Sequence, residues 1–416
     1  ARIPDANADS CVEKKVSDAV KENVCRDCEY KQAKKWLNST LNLISNYSYY
    51  FVSKMWSGHL HDRAITIFDE AHTLNNIFCE HNAIHVTAEK LETYAKICEQ
   101  DLAPMAIEQA AQFKRLKTIL MQGKINGDNY NNFISALSKT YKECHKYAAK
   151  KVDEEQDMTT SNKYSKIAKM FFGLGCKIGD LLHYKYEHVF EYIDETHELS
   201  IKPVFIGAMS SVLLGPKNLF MSATISEELM VTTLDLDKSD TVFIKLPPVF
   251  PAENKSIVFY NPMSLNFEAM KKPETIKALK KSVFDIVTAH TKEQRERGII
   301  LTPSFYITDM LTQELSKIPG ITIIAQTKGV KAADAIKKFK GHNGACVLIS
   351  PSIYEGIDFP GDESRFQVIV KAPFASLAER RMKYIADTYP NIYRLETLMK
   401  IIQGIGRSVR SEDDYC

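Results

Sequence analysis

The chain has 416 residues, room for roughly two to four domains at about 100–200 residues each. Hydrophobic residues make up 44% and charged residues 25%, with a formal charge of +2, so any nucleic-acid surface must be local rather than a property of the whole chain. No apolar run approaches the ~20 residues that span a bilayer, and no secretory pattern opens the sequence, so a cytoplasmic location is expected.

Cys11 to Trp36 is polar, lysine-rich and helix-like, and it holds Cys11, Cys25 and Cys28 close together. The other six cysteines, Cys79, Cys98, Cys144, Cys176, Cys346 and Cys416, are scattered among apolar stretches and read as reduced, buried thiols. Leu41 to Val52 reads as a strand-like stretch, and Ala64 to Phe68 as a short buried parallel strand. From Thr87 to His183 the spacing of Leu91, Tyr94, Ala95 and Cys98, and of Phe133, Leu137 and Tyr141, is helical. Within this region Lys150 to Ser161 reads as a charged, mobile connection. Tyr184 to Ile206 reads as one or two strands with Pro203 at an edge. Beyond Ser222, strands are expected at Val242–Leu246, Ser256–Tyr260, Gly298–Leu301, Ile321–Ile324, Cys346–Ile349 and Val368–Lys371, with helices such as Pro273–His290 between them. That alternation implies a parallel sheet covered on both faces.

Four strings carry chemistry. Asp69-Glu70-Ala71-His72 follows the Ala64–Phe68 strand, and ligand sites of open α/β sheets form at such carboxyl tips. Asp69 there suits Mg²⁺ held through water, and Glu70 a water to be activated against a γ-phosphate. Ser222-Ala223-Thr224 follows the apolar turn Asn218–Met221 and reads either as a plain hydroxyl cap or as a hinge that senses nucleotide. In Ser352 to Asp362, Gly356 and Gly361 permit tight turns, while Asp358 sets a charge at the sheet edge. Gln403 to Ser411 places Arg407 and Arg410 three residues apart on the same face of a helix, where planar guanidinium forks grip phosphate oxygens. Gly404 and Gly406 argue against an ordinary surface helix, since each costs about 1 kcal/mol inside one.

Together these strings resemble the superfamily 2 helicases, and within them the XPD/DinG branch. Asp69–His72 resembles motif II, Ser222–Thr224 motif III, Gly298–Phe305 motif IV, Tyr354–Phe359 with Gly361-Asp362 and Lys371–Phe374 the motif V region, and Gln403–Ser411 motif VI. Asn46–Tyr49 is similar to the segment ahead of motif II. The resemblance implies an α/β fold of two RecA-like parallel-sheet motor domains, with a cysteine-rich helical insertion and a mostly helical Arch insertion. Its expected divisions are residues 1–40 for the cysteine-rich insertion, 41–86 and 207–235 for the first motor domain, 87–206 for the Arch, and 236–416 for the second motor domain.

The resemblance implies a 5′-to-3′ DNA helicase that uses ATP and Mg²⁺. Catalytic roles then fall to Asp69, Glu70, His72, Gln403, Arg407 and Arg410, and nucleotide contacts to Asp69, Glu70, Gly356, Asp358 and Gly406. Single-stranded DNA would lie against Tyr47, Thr302, Ser304 and Tyr354, with Tyr49 and the lysine-rich cysteine region as further candidates. The expected partners are single-stranded and forked DNA, with possible repair or replication proteins, for a monomer without membrane contact.

Two departures stand out. The family's Walker A loop, G-x-x-x-x-G-K-[ST], is absent from the sequence, and Gly123-Lys124 lies in the helical insertion. Because the chain also opens on Ala1 and closes just after motif VI, both ends of the family pattern are expected to be missing, and the polypeptide as written is expected not to hydrolyse ATP. The family's [4Fe–4S] cluster needs four thiolates, and Cys11, Cys25 and Cys28 supply three. A fourth ligand from upstream, Asp27 as ligand, a zinc site and a metal-free remnant all remain open. A nucleic-acid-binding scaffold without ATPase activity is the competing function, and an RNA-directed DEAH protein a third.

Overall fold

The computed structural model describes residue 40 and residues 42–56, 60–123, 125–247, 250–354 and 356–416. The chain divides into two compact units, residues 1–241 with 377–385, and residues 242–376 with 386–416.

In the first unit, helix α1 (Tyr47–Met55) replaces the strand expected over Leu41–Val52. The reason is local: the Asn46 side chain accepts from the Tyr49 N–H at 2.8 Å, capping the helix, and Tyr50 and Phe51 fall one turn on from Tyr47. Tyr47 and Tyr50 pack on Phe68, and Phe51 on Phe78. Strand β1 (Thr66–Phe68) leads to α2 (Leu74–Asn82), an unforeseen strand β2 (Ile84–Thr87) and four helices. These are α3 (Ala88–Gln100), α4 (Ile107–Met121), α5 (Gly127–Glu154) and α6 (Met158–Tyr184). The helical periodicity holds: Leu91, Ala95, Cys98, Phe133, Leu137 and Tyr141 are all buried in one core.

The mobile connection expected over Lys150–Ser161 shrinks to a break between α5 and α6. Asp157 caps α6 by accepting from the Thr160 N–H at 2.8 Å, and Lys150 pairs with Glu154 at i,i+4. Strands β3 (His188–Ile193) and β4 (Glu198–Pro203) form a hairpin that joins β2 in the order β2-β4-β3, all antiparallel. Pro203 therefore ends the central strand rather than marking an edge strand, at a position where its missing N–H breaks nothing further. The apolar stretch expected as a turn at Asn218–Met221 is strand β5 (Asn218–Phe220), parallel to β1 with Phe68 opposite Phe220. Ile65 and Ile67 are exposed, so β1 is not the fully buried strand expected. Helices α7 (Ser210–Leu213) and α8 (Glu227–Leu234) flank β5.

The second unit is built on four parallel strands in the order β7-β8-β6-β9. They are β6 (Gly298–Leu301), β7 (Thr322–Ala325), β8 (Cys346–Ser350) and β9 (Phe366–Ile369). Both faces are covered, as a continuous apolar parallel strand requires. Ile300, Val347 and Ile349 join one core with α9 (Pro273–Thr288) and α10 (Phe305–Leu315). Ile299, Leu301 and Leu348 join the other with α11 (Ala332–Lys340). Gly298 lets the Phe366 ring close over the strand, since a Cβ there would lie 2.3 Å from that ring. The strands expected at Val242–Leu246 and Ser256–Tyr260 form no ladder, and Val258 and Phe259 are exposed. Their β-branched composition favours a strand only where a neighbour completes the ladder.

Helices α12 (Arg380–Thr388) and α13 (Pro390–Ile405) close the chain. Residues 377–385 belong to the first unit, anchored by Arg381, which is 2% exposed. Its guanidinium donates to the carbonyls of Pro203 and Val204, each at 2.9 Å, and to the Asn76 side chain at 3.2 Å. Lys202 pairs with Glu379 at 2.9 Å beside it. All six described cysteines are free thiols, and Cys79, Cys98, Cys144 and Cys346 are buried. No described helix is long and apolar enough to cross a membrane.

Candidate functional site

The acidic motif sits where the sequence placed it, directly after β1. The Ala71 N–H donates to the Met221 carbonyl and the Met221 N–H to the Phe68 carbonyl, each at 2.9 Å, so motifs II and III are stapled at one sheet tip. Glu70 lies in the left-handed region at φ 50° and ψ 44°, a conformation that costs an ordinary residue about 1–2 kcal/mol. Thr73 compensates by donating to the Glu70 carbonyl from both its N–H, at 3.0 Å, and its hydroxyl, at 2.9 Å. The Asp69 carboxylate accepts the Glu70 N–H at 3.0 Å. Both acids face solvent, and the Glu70 side chain is 63% exposed.

Behind them His72 is enclosed, with its Nδ1 2.8 Å from the Ser222 hydroxyl and 3.3 Å from the Glu70 carboxylate. Ser222 Oγ is itself 3.3 Å from Glu70 Oε2, so a serine after β5 and a histidine after β1 converge on one acid. Tyr47 donates its hydroxyl to the Asp69 carbonyl. Burial, with Asp69 and Glu70 adding to it, pushes the Tyr47 phenol up to about 12, so it remains a donor through the neutral range.

In the second unit the arginines lie beyond the helix, not on one of its faces: α13 ends at Ile405. Gly404 brings that helix end against β6, since a Cβ there would lie 3.1 Å from Leu301 and 3.4 Å from Tyr354. Arg407 then turns back, donating from Nε to the Tyr354 carbonyl at 3.0 Å and from Nη1 to the Ile357 carbonyl at 3.3 Å. It reaches Asp358 at 3.4 Å, and Arg410 pairs with the same carboxylate. Gln403 is half-buried on the last turn of α13, Gly406 follows it, and Gly356 holds φ 81° before Asp358.

One buried acid behind this ring, with its partner Arg365, is missing from the sequence reading. Asp414 is buried and accepts the Gly361 N–H at 3.0 Å, the Arg410 N–H at 3.1 Å and Arg365 Nη1 at 2.9 Å. Burial alone would raise its carboxyl, but those two N–H groups and Arg365 outweigh it and hold the carboxyl below its ordinary range. The only signal was a run of acids after motif VI, which by itself looks like solvated surface.

Of the DNA-contact candidates, Ser304 lies at a surface, capping α10 by accepting the Ile307 N–H at 3.3 Å. Thr302 is fully buried with its hydroxyl 2.6 Å from that of Thr308, so it supports the strand tip and is withdrawn as a phosphate contact. Tyr354 is buried too, and burial pushes its phenol up to about 12. Cys11, Cys25 and Cys28 lie outside the described residues, as do Asp27 and Glu355. Among the described residues no group of three or more His, Cys, Asp and Glu gathers for a metal ion. The Asp69 and Glu70 oxygens, hard and open to water, nevertheless suit a Mg²⁺ that keeps most of its hydration.

An acid motif at the tip of the two-stranded parallel sheet, and an Asp–Arg ring beyond the four-stranded one, make each unit an α/β fold with charged groups at a strand's carboxyl end. Residues 287–416 match the family model described as helicase C-terminal domain. Two solved structures share the fold. "XPD_Helicase" has a TM-score of 0.51 at 16% identity, covering 100% of this chain and 75% of that one. "Structure of S. tokodaii Xpd4" has a TM-score of 0.54 at 15% identity, covering 94% and 83%. Among curated proteins, the "3'-5' exonuclease DinG" of Bacillus subtilis (strain 168) is 31% identical over 135 residues, 30% of this chain and 14% of that protein. The "ATP-dependent DNA helicase YoaA" of Escherichia coli (strain K12) is 22% identical over 242 residues, 55% of this chain and 37% of that protein. Residues 287–416 are thus similar to a helicase C-terminal domain, and the chain spans well under half the length of the curated relatives it matches.

Proposed function

We propose that this chain acts in an ATP-driven motor that moves 5′-to-3′ along single-stranded DNA in the cytoplasm. The observation that carries the reading is the Glu70–Ser222–His72 triangle at the carboxyl tips of β1 and β5. It gives an exposed carboxylate, held in a strained backbone, a direct mechanical link to the segment that follows β5.

In this reading Mg²⁺ and ATP supply the polarised phosphate chain. Asp69 orients the ion's water shell, and Glu70 accepts a proton from the attacking water. His72 and Ser222 sense whether Glu70 is engaged, because each competes for the same oxygen. In the second unit Arg410, the more exposed arginine, is the guanidinium available to a phosphate, while Arg407 positions the Tyr354–Asp358 loop. Phosphate and base contacts fall to Ser304 and its neighbours. Direction follows from the family resemblance alone.

The protein as its gene encodes it should hydrolyse ATP in response to single-stranded DNA more than to RNA, and Glu70→Gln should lower kcat at least about a hundredfold. ATPase activity indifferent to Glu70→Gln would overturn the motor. Residues 1–416 alone should bind DNA without turnover, since the sequence holds no Walker A loop. That absence favours the second reading, a DNA-binding scaffold, if the encoded protein also lacks turnover. A cluster held in part by Cys11, Cys25 and Cys28 should give broad visible absorbance in anaerobically prepared protein; a colourless, iron-free sample would remove it.

A further inference from the structure

The second unit carries a cavity of about 380 Å³ beside Ser304, and its lining beyond that serine has no role assigned above. It opens where the chain leaves β6 and β9, at Pro303-Ser304 and Val370-Lys371, the sheet edge at which open α/β folds take ligands. Its floor is apolar, formed by residues such as Leu279. Its rim is aromatic and cationic: Phe267 is 75% exposed, Tyr306 65%, and Lys271 and Lys371 stand beside them.

Large aromatic faces left in water at a concave site call for an occupant. Its chemistry follows from the rim. Lys271 sits 4.4 Å from the Phe267 ring and shares its charge with Glu268 at 2.8 Å. Lys371 has no carboxylate within ion-pair distance among the described residues. At the same edge the first turn of α10 points N–H groups outward beyond the Ser304 cap, and such termini favour anions. A flat apolar ring attached to a phosphate satisfies all of these features at once, whereas an apolar peptide leaves the cationic rim unmatched.

We propose that this cavity is a nucleobase subsite: one base of a single strand enters it, stacked against Phe267 and Tyr306, with the adjoining phosphate on Lys371 and the α10 N-terminus. The proposal rests on the DNA reading above and sharpens it. The strand is gripped through a base as well as through its backbone, so a sequence-tolerant stacking contact accompanies the electrostatic one.

The test compares a short oligothymidylate with an abasic oligomer of equal length and charge, each titrated against the full chain. Phe267→Ala and Tyr306→Ala should each weaken oligothymidylate binding at least about fivefold, and leave the abasic oligomer within twofold. Tyr306→Phe should restore oligothymidylate binding, because the ring and not the hydroxyl does the stacking. Lys371→Ala should weaken both oligomers and flatten the salt dependence. Aromatic variants that leave oligothymidylate untouched, or weaken both oligomers alike, overturn the subsite while the DNA reading stands. A wild-type chain that binds neither oligomer overturns both.

Discussion

The acid site after β1 and the arginine ring beyond β8 handle charge in opposite ways. Asp69 and Glu70 present open carboxylates on a strained turn, braced from behind by Tyr47, His72 and Ser222. Arg407 and Arg410 share one carboxylate, Asp358, within their own unit, and Asp414 accepts the Gly361 and Arg410 N–H groups of the two loops. One site keeps its charge available at a cost in local strain. The other binds its charge into the scaffold, so there the reactive group and the structural support are partly the same atoms. Substitutions should therefore separate function from stability at the first site and confound them at the second.

The largest effect is expected at Arg407→Ala, which strips hydrogen bonds from the Tyr354 and Ile357 carbonyls and should destabilise the second unit by about 2–4 kcal/mol in denaturant titration. A loss under 0.5 kcal/mol would show that the ring is not structural. Asp414→Asn should cost about 1–3 kcal/mol at neutral pH. Because the folded carboxyl titrates below its unfolded value of about 3.9, its contribution is complete above that pH and disappears as pH falls through the lower folded value. The variant should therefore lose part of the wild-type acid transition, and an unchanged acid limb would contradict the assignment. Glu70→Gly should act in the reverse sense, raising stability by about 1 kcal/mol through relief of the left-handed strain while removing the reactive acid. Smallest of all, Glu70→Gln should leave the melting transition within about 0.5 kcal/mol, as expected for an exposed side chain.

The sequence made legible whatever rests on contiguous residues. The Asp69, Ser222 and Ser352 strings each follow a strand, and the Leu91–Cys98 and Phe133–Tyr141 spacings land in a helical core. It misled where a local pattern needed a distant partner to decide it. The aromatic run after Asn46 looks β-prone, yet a cap and a Phe68 platform make it a helix. Val242–Leu246 looks β-prone too, and stays unladdered for want of a neighbour. Thr302 carries a hydroxyl in a suggestive motif, but burial against Thr308 is a property of the packed unit. Asp414 and the Phe267–Tyr306 cavity join segments far apart in the chain, and no window of sequence contains them.

The placement of Leu377–Ile385 bears on how this protein can be dissected. The polypeptide passes between the two units three times, after Thr241, after Ser376 and after Ile385. A fragment begun at Val242 would carry Arg381 without the Pro203 and Val204 carbonyls and the Asn76 amide that solvate it. Its counterpart ending at Thr241 would lose a guanidinium from its interior. Neither half is a self-sufficient piece, and a nick introduced near residue 241 should leave the two fragments co-purifying.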